Sequence, residues 1–146
     1  MLPVTVLLVD DFEPFRRMTR SILDELPGVP IAGEASDGLE AIQKADELRP
    51  DLILLDVGLP KLSGIHAARK ILKTLPNIKI VFVSQETSDD VVEEAFRLGA
   101  FGYVAKVHAS TDLPKLIERV RQSKQLFSRI QFDEVPAPQM QISEKL

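Results

Sequence analysis

Five short apolar runs, each followed by an amphipathic stretch, decide what class of fold this chain can adopt. They occupy residues 4–9, 31–35, 52–55, 79–83 and 101–105. The first, third and fourth are nearly continuous rather than alternating, as strands buried on both faces of a parallel sheet must be. The second and fifth are weaker and belong nearer the sheet edges. The intervening stretches carry helix signals. Pro14 stands where a first turn begins, and Phe15, Met18, Ile22 and Leu26 recur three or four residues apart. Asp37 followed by Glu40 is a capping-box variant opening a helix to Arg49, which Pro50 stops. Ser63 can cap a helix bearing Ile65, Ala68, Ile71, Leu72 and Leu75, ended by Pro76. Ser88 or Asp89 opens the next, with Val91, Val92, Ala95 and Leu98 inside it and Gly99 as its stop. The last begins near Ser110 or Thr111 and carries Leu113, Leu116, Ile117, Val120 and Phe127. Alternation of strand and helix five times over implies parallel strands, right-handed crossovers and helices on both faces.

A chain of 146 residues is about one domain, large enough to bury a core without staples. The absence of cysteine removes disulfides, thiolate zinc sites, iron–sulfur clusters and thiol nucleophiles together. Lys and Arg number 18 against 22 Asp and Glu, and the net charge of −4 argues against direct nucleic-acid binding by this chain. No apolar run approaches the ~20 residues that a membrane span needs. Residues 1–5 lack the basic region of a secretory leader. A cytoplasmic, soluble protein with no membrane partner is the expectation. From about Asp133 the periodic pattern gives way to Pro136, Pro138, Gln139 and Gln141, the composition of a linker or tail.

The residues that terminate the strands carry the chemistry. Asp10 and Asp11 follow the first run, Asp56 follows the third, Ser84 closes the fourth and Lys106 follows the fifth. In an open parallel sheet these carboxyl ends share one edge, where ligands bind at the switch in strand order. Three carboxylates brought together repel and raise one another's pKa values. A hard divalent cation removes the conflict, and an all-oxygen donor set suits Mg²⁺. A lone lysine beside it suits a transferring phosphoryl group. A carboxylate can itself be the nucleophile and form an aspartyl phosphate. Each residue alone has a plainer reading as a turn, a helix cap or a solvated side chain. Together, in this chain order on one edge, they outweigh it.

These residues resemble the receiver domain of two-component response regulators, over about residues 4–123. The marks are Val6-Leu7-Leu8-Val9-Asp10-Asp11, Asp56-Val57-Gly58-Leu59-Pro60 with Gly64, Val83-Ser84, and Gly99-Ala100-Phe101-Gly102-Tyr103 leading to Lys106. The last segment, with no proline after Lys106, looks most like receivers that precede helix-turn-helix output domains. The resemblance implies a flavodoxin-like, doubly wound, five-stranded parallel sheet of order 2-1-3-4-5 with five helices. It implies that Asp56 accepts a phosphoryl group from a sensor histidine kinase or phosphotransfer protein. Asp11, Asp56 and the Gly58 carbonyl would hold Mg²⁺, with Asp10 acting through a bound water. Ser84 would hydrogen-bond a phosphoryl oxygen and Lys106 would pair with its charge. Tyr103 would turn inward as Ser84 moves, switching the face formed by the fourth helix, fifth strand and fifth helix. Such a chain is not a conventional enzyme, autophosphatase activity aside.

Several positions depart from the family pattern. Val107 follows Lys106, where many receivers have proline. Gln85 follows Ser84, where a small residue is common, and would narrow access to Asp56. Ser63 stands where Asp or Asn is frequent. Glu86 is expected to face solvent. His66, expected on a surface helix away from the carboxyl edge, and His108, at most at the site rim, are rejected as phosphohistidines.

Three rival readings stay open. An aspartate-nucleophile phosphatase of the haloacid-dehalogenase type needs a second Asp where Gly58 stands. A flavin or nucleotide module would want glycines or hydroxyls after the first strand, where Asp10-Asp11-Phe12-Glu13 is acidic. A receiver-like interaction scaffold that is never phosphorylated shares the fold. The domain plan is a receiver over residues 1–123, an extension of the last helix over 124–132, and a linker or tail over 133–146. Leu126, Phe127, Ile130 and Phe132 of the extension need cover. Either the segment folds back or it pairs with another copy. A homodimer is expected through it or through the face of the fourth helix, fifth strand and fifth helix.

Overall fold

The computed structural model describes residues 2–133, with side chains as far as Leu126. The strands are β1 (Val6–Val9), β2 (Ile31–Ala35), β3 (Leu52–Leu55), β4 (Lys79–Ser84) and β5 (Gly102–Ala105). The helices are α1 (Glu13–Asp24), α2 (Gly38–Leu48), α3 (Gly64–Thr74), α4 (Asp89–Leu98) and α5 (Ala109–Asp133). Every strand pairing is parallel and the order is β2-β1-β3-β4-β5. The two weaker runs are the two edges, as their sequences imply.

Successive strand residues point to opposite faces, and both faces are covered. Leu7, Val9, Ile53, Leu55, Ile80 and Phe82 enter the core beneath α2, α3 and α4. Val6, Leu8, Leu52, Leu54, Val81 and Val83 enter the core shared with α1 and α5. That double burial is why these runs are apolar at every position. Truncating Phe82, which is fully buried, to Ala costs about 3–5 kcal/mol on general grounds.

The helix signals act locally. The Asp37 carboxylate accepts from the Glu40 N–H at 2.8 Å. The Glu40 carboxylate accepts from the Ser36 N–H at 2.8 Å, one residue earlier than in a standard capping box. Ser63 Oγ accepts from the His66 N–H at 3.3 Å to open α3. Gly99 closes α4 with φ 119°, a left-handed conformation natural to glycine. Helix α1 ends at Asp24, short of Leu26, which still packs on the core.

The start of α5 differs from the sequence reading. Lys106–His108 form a 3₁₀ turn directly after β5, and the helix begins at Ala109, ahead of Ser110 and Thr111. Ala109 is buried in the α1–α5 core, and that packing brings the helix start up to the end of the strand. The helical backbone then covers the expected extension and ends at Asp133. The tail expected beyond it, and the side chains of Phe127, Ile130 and Phe132, lie outside the described residues. No described helix is long and apolar enough to cross a membrane.

At the amino edge of the sheet, α5 fastens the chain start. The buried Arg121 guanidinium donates to the carbonyls of Leu2 at 3.1 Å and Pro27 at 2.7 Å. Lys124 Nζ donates to the Pro3 carbonyl at 2.8 Å and to Asp51 Oδ2 at 3.0 Å.

Candidate functional site

The parallel register carries the expected residues to one edge. Asp10 continues β1, its N–H bonded to the Ala35 carbonyl at 3.1 Å, and the Asp56 N–H bonds the Val9 carbonyl at 3.0 Å. One carboxylate oxygen from each of Asp10, Asp11 and Asp56 lies within 4.8 Å of the others. Asp10 and Asp56 are buried and Asp11 is exposed. Lys106 Nζ bridges the buried pair, 2.7 Å from Asp10 Oδ2 and 3.1 Å from Asp56 Oδ2. It also lies 4.6 Å from the centre of the Phe15 ring.

The remaining carboxylate oxygens meet backbone donors. Asp10 Oδ1 accepts from the Phe12 N–H at 2.8 Å and Asp56 Oδ1 from the Gly58 N–H at 3.3 Å. Burial pushes the Asp10 carboxyl above its ordinary pKa, the Lys106 and Phe12 hydrogen bonds oppose that, and the Asp56 charge adds to it. Burial works against the Lys106 ammonium, but its bonds to Asp10 and Asp56 outweigh it and leave its pKa raised. Three acids therefore face one ammonium, an oxygen-rich, net-negative cluster that favours a hard cation.

Two glycines shape the loop after β3 in opposite ways. A Cβ at Gly64 would lie 1.9 Å from the Asp56 carbonyl oxygen, so the start of α3 rests directly on the Asp56 backbone. A Cβ at Gly58 would meet nothing within 4 Å. Glycine there is not a steric necessity; it leaves the mouth of the site open. That mouth is a cavity of about 590 Å³, with Asp11, Asp56, Gly58 and Lys106 on one side and Ser84, Gln85 and Glu86 on the other.

Ser84 and Tyr103 meet through a third residue. Ser84 Oγ accepts from the Glu86 N–H at 3.1 Å, and the Tyr103 hydroxyl donates to the Glu86 carbonyl. The Tyr103 ring is inside, 3% exposed, with its centre 5.9 Å from that of Phe82. Burial pushes its phenol up to about 12. The Glu86 peptide therefore carries a bond to each of them, through its N–H and its carbonyl. The Glu86 side chain faces solvent, as expected.

Both histidines have ordinary settings. His66 is exposed, with Nδ1 2.9 Å from Ser63 Oγ. The expectation that it lies away from the carboxyl edge needs correcting. It is in the first turn of α3, two residues past the glycine that rests on Asp56, because a helix after a parallel strand starts at that strand's carboxyl end. His108 lies at the rim, lining a second cavity of about 640 Å³ with Phe12, Phe15, Met18 and Val107.

Two contributors were not anticipated from sequence. Phe15 places its ring against Lys106. Arg16 donates to the Asp10 carbonyl at 2.6 Å and to Glu34 Oε1 at 2.9 Å, tying the acid pair to β2. Nothing local separates Arg16 from Arg17, which pairs with Glu13 on the surface.

Strand order 2-1-3-4-5 with acids at the β1/β3 edge and a lysine after β5 defines a receiver-type, flavodoxin-like α/β protein. Residues 6–118 match the response regulator receiver domain, and the chain belongs to that family. It is 38% identical over 128 residues to a protein-glutamate methylesterase/protein-glutamine glutaminase of Thermotoga maritima, covering 82% of this chain and 37% of that one. It is 34% identical over 126 residues to the response regulator protein VraR of Staphylococcus saprophyticus, covering 86% of this chain and 60% of that one. The chain thus spans less than two thirds of either relative. Among solved structures, the response regulator domain of Thermotoga maritima CheB is 37% identical with a TM-score of 0.74, over 84% of this chain and 97% of that one. A LuxR-family two-component response regulator from Aurantimonas sp. is 28% identical with a TM-score of 0.78, over 92% of this chain and 99% of that one.

Proposed function

We propose that Asp56 is a phosphoacceptor, charged by a phosphohistidine of a sensor histidine kinase or phosphotransfer protein. One observation carries this reading: a single ammonium, Lys106, spans the buried Asp10 and Asp56 carboxylates, 2.7 and 3.1 Å away, beneath an open cavity. An Asp56 carboxylate oxygen attacks phosphorus. The phosphorus–nitrogen bond breaks, and its electron pair returns to the imidazole of the donor. Lys106 keeps its proton and follows the charge as it moves onto the phosphoryl oxygens. Ser84 turns from the Glu86 N–H to a phosphoryl oxygen, and the Tyr103 anchor on Glu86 loosens with it.

The all-oxygen donor set fits a hard divalent cation. Asp11, Asp56 and the Gly58 carbonyl would hold Mg²⁺, with Asp10 acting through a water. When bound, it neutralises the clustered acids and the incoming phosphoryl oxygens. The response would spread over α4, β5 and α5, and a homodimer would form through that face or through the extension of α5 over residues 124–132. Residues 1–123 act as the receiver, in the cytoplasm. Gly58, in place of a second acid, weighs against the phosphatase alternative.

Incubation with a phosphorylated histidine kinase and Mg²⁺ should give an acid-stable, base-labile adduct that a chelator suppresses. Asp56→Asn should abolish it. Equal labelling of that variant would show that another group is the acceptor, and a scaffold that is never phosphorylated would show no adduct with any donor kinase.

A further inference from the structure

The opposite edge of the sheet holds a second polar cavity. It measures about 250 Å³ and is lined by Asp51, Asn77, Lys79, Val120, Ser123 and Lys124. It lies between the starts of β3 and β4 and the flank of α5, the whole sheet away from Asp56. It is below the usual size of a drug-like or cofactor site, which begins at about 300 Å³, so only a small ligand fits.

The lining residues differ in how well they are satisfied. Asp51 Oδ2 accepts from the Thr5 N–H at 2.9 Å, the Thr5 hydroxyl at 3.1 Å and Lys124 Nζ at 3.0 Å. Lys79 makes no ion pair among the described residues. Its ammonium meets only the face of the Phe101 ring, 5.8 Å from the centre. Burial lowers its pKa, the mark of a charge short of compensation. Ser123 is 3% exposed as a residue, and its hydroxyl oxygen, which keeps accessible surface, makes no hydrogen bond among the described residues. A helical serine normally donates to the carbonyl one turn back. A hydroxyl and a half-buried cation, both without a polar partner among the described residues, thus line one small cavity. Its formal charges are two lysines against one aspartate, net positive in a chain of net charge −4.

We propose that this cavity binds a small oxyanion, a phosphate or a carboxylate, held by the Lys79 ammonium and the Ser123 hydroxyl, with the Asn77 amide at its mouth. An anion there supplies Lys79 with the counter-charge the fold withholds and Ser123 with an acceptor. The site is independent of phosphorylation at Asp56. It joins the start of β4 to α5, beside the Asp51–Lys124 pair that ties the start of β3 to the same helix.

Amide-resolved NMR titration of the full chain tests this, with inorganic phosphate in one series and acetate in another at constant ionic strength. At least one anion should move the Asn77, Lys79 and Ser123 amides along a saturable curve, and the series that saturates identifies the source. Lys79→Met should weaken that binding about tenfold or more, the loss of one charge-assisted hydrogen bond. Ser123→Ala, which removes a single oxygen, should weaken it about fivefold. Thermal melts establish that each variant is folded, and either one suffices. Non-saturating shifts with both anions, shifts confined to the surroundings of Lys106, or unchanged affinity in a folded variant would each overturn the proposal.

Discussion

The two edges of the sheet use charged side chains to opposite ends. At the amino edge, Arg121 and Lys124 point at backbone carbonyls of Leu2, Pro3 and Pro27, and Asp51 caps Thr5. These charges complete the hydrogen bonding of a chain that would otherwise fray. At the carboxyl edge, three acids crowd one ammonium, and burial disfavours the ionised form of Asp10. The first edge contributes stability. The second spends it on a cluster of like charges that further positive charge would relieve.

The sharpest way to break this comparison is Arg121→Met. Removing a buried guanidinium leaves two carbonyls without donors, and urea unfolding should show a loss of about 2–4 kcal/mol. A loss below ~1 kcal/mol would mean the amino edge is not held by these bonds.

Tyr103 gives the next largest effect. The chain has one tyrosine and no tryptophan, so absorbance titration reads this phenol alone. It should titrate near 12 rather than 10. The folded state holds the phenol proton more tightly than the unfolded chain. The stability this adds is complete below the unfolded value of 10.0 and is lost as pH rises through about 12. Tyr103→Phe should therefore flatten the alkaline limb of the unfolding curve. A midpoint at 10 would place the ring outside.

The carboxyl edge should answer with the opposite sign. The raised pKa of Asp10 means that ionising it costs folding stability. Asp10→Asn in chelator should leave stability unchanged or raise it by up to ~1 kcal/mol. Added Mg²⁺ should stabilise the parent chain more than the variant. A variant clearly less stable than the parent in chelator would erase the contrast between the edges.

The smallest effect belongs to Glu34. The Arg20 guanidinium holds its carboxyl below the usual carboxylate range, against the effect of burial and with help from Arg16. Its contribution is complete above the ordinary value of 4.5 and is lost as pH falls through the lowered one. Because the groups are partly exposed, Glu34→Gln should cost less than ~1 kcal/mol at neutral pH and blunt the acid limb. An unaltered acid limb would mean these contacts do not persist in solution.

The same two edges differ in how far they could be read from the chain alone. The carboxyl edge was legible because its residues follow directly on apolar runs, and parallel topology brings every strand end to one side. Asp37, Ser63 and Gly99 were legible as helix ends for a similar reason, since each acts within a few residues of itself. The amino edge was not. Arg121 and Leu2 are 119 positions apart, and a side chain reaching for a distant carbonyl leaves no periodicity behind. The early start of α5 was missed because Ser110 and Thr111 are good caps by type, while burial of Ala109 decided the boundary. Arg16 escaped because its partner, the Asp10 carbonyl, belongs to the backbone, which every residue carries alike.

Strand β3 is four residues long and is flanked by Asp51 and Asp56. Lys124 holds the first and Lys106 the second, and the lysines stand at the two ends of one rigid stretch, the turn after β5 and the first part of α5. Strand and helix are thus braced like two rails with a rung at each end. A residue inserted between Lys106 and Lys124 would rotate everything beyond it by about 100° and pull one rung out, while insertions after Lys124 would disturb neither. The spacing between residues 106 and 124 is therefore fixed by its two ends, and length variation in chains of this kind should avoid that stretch.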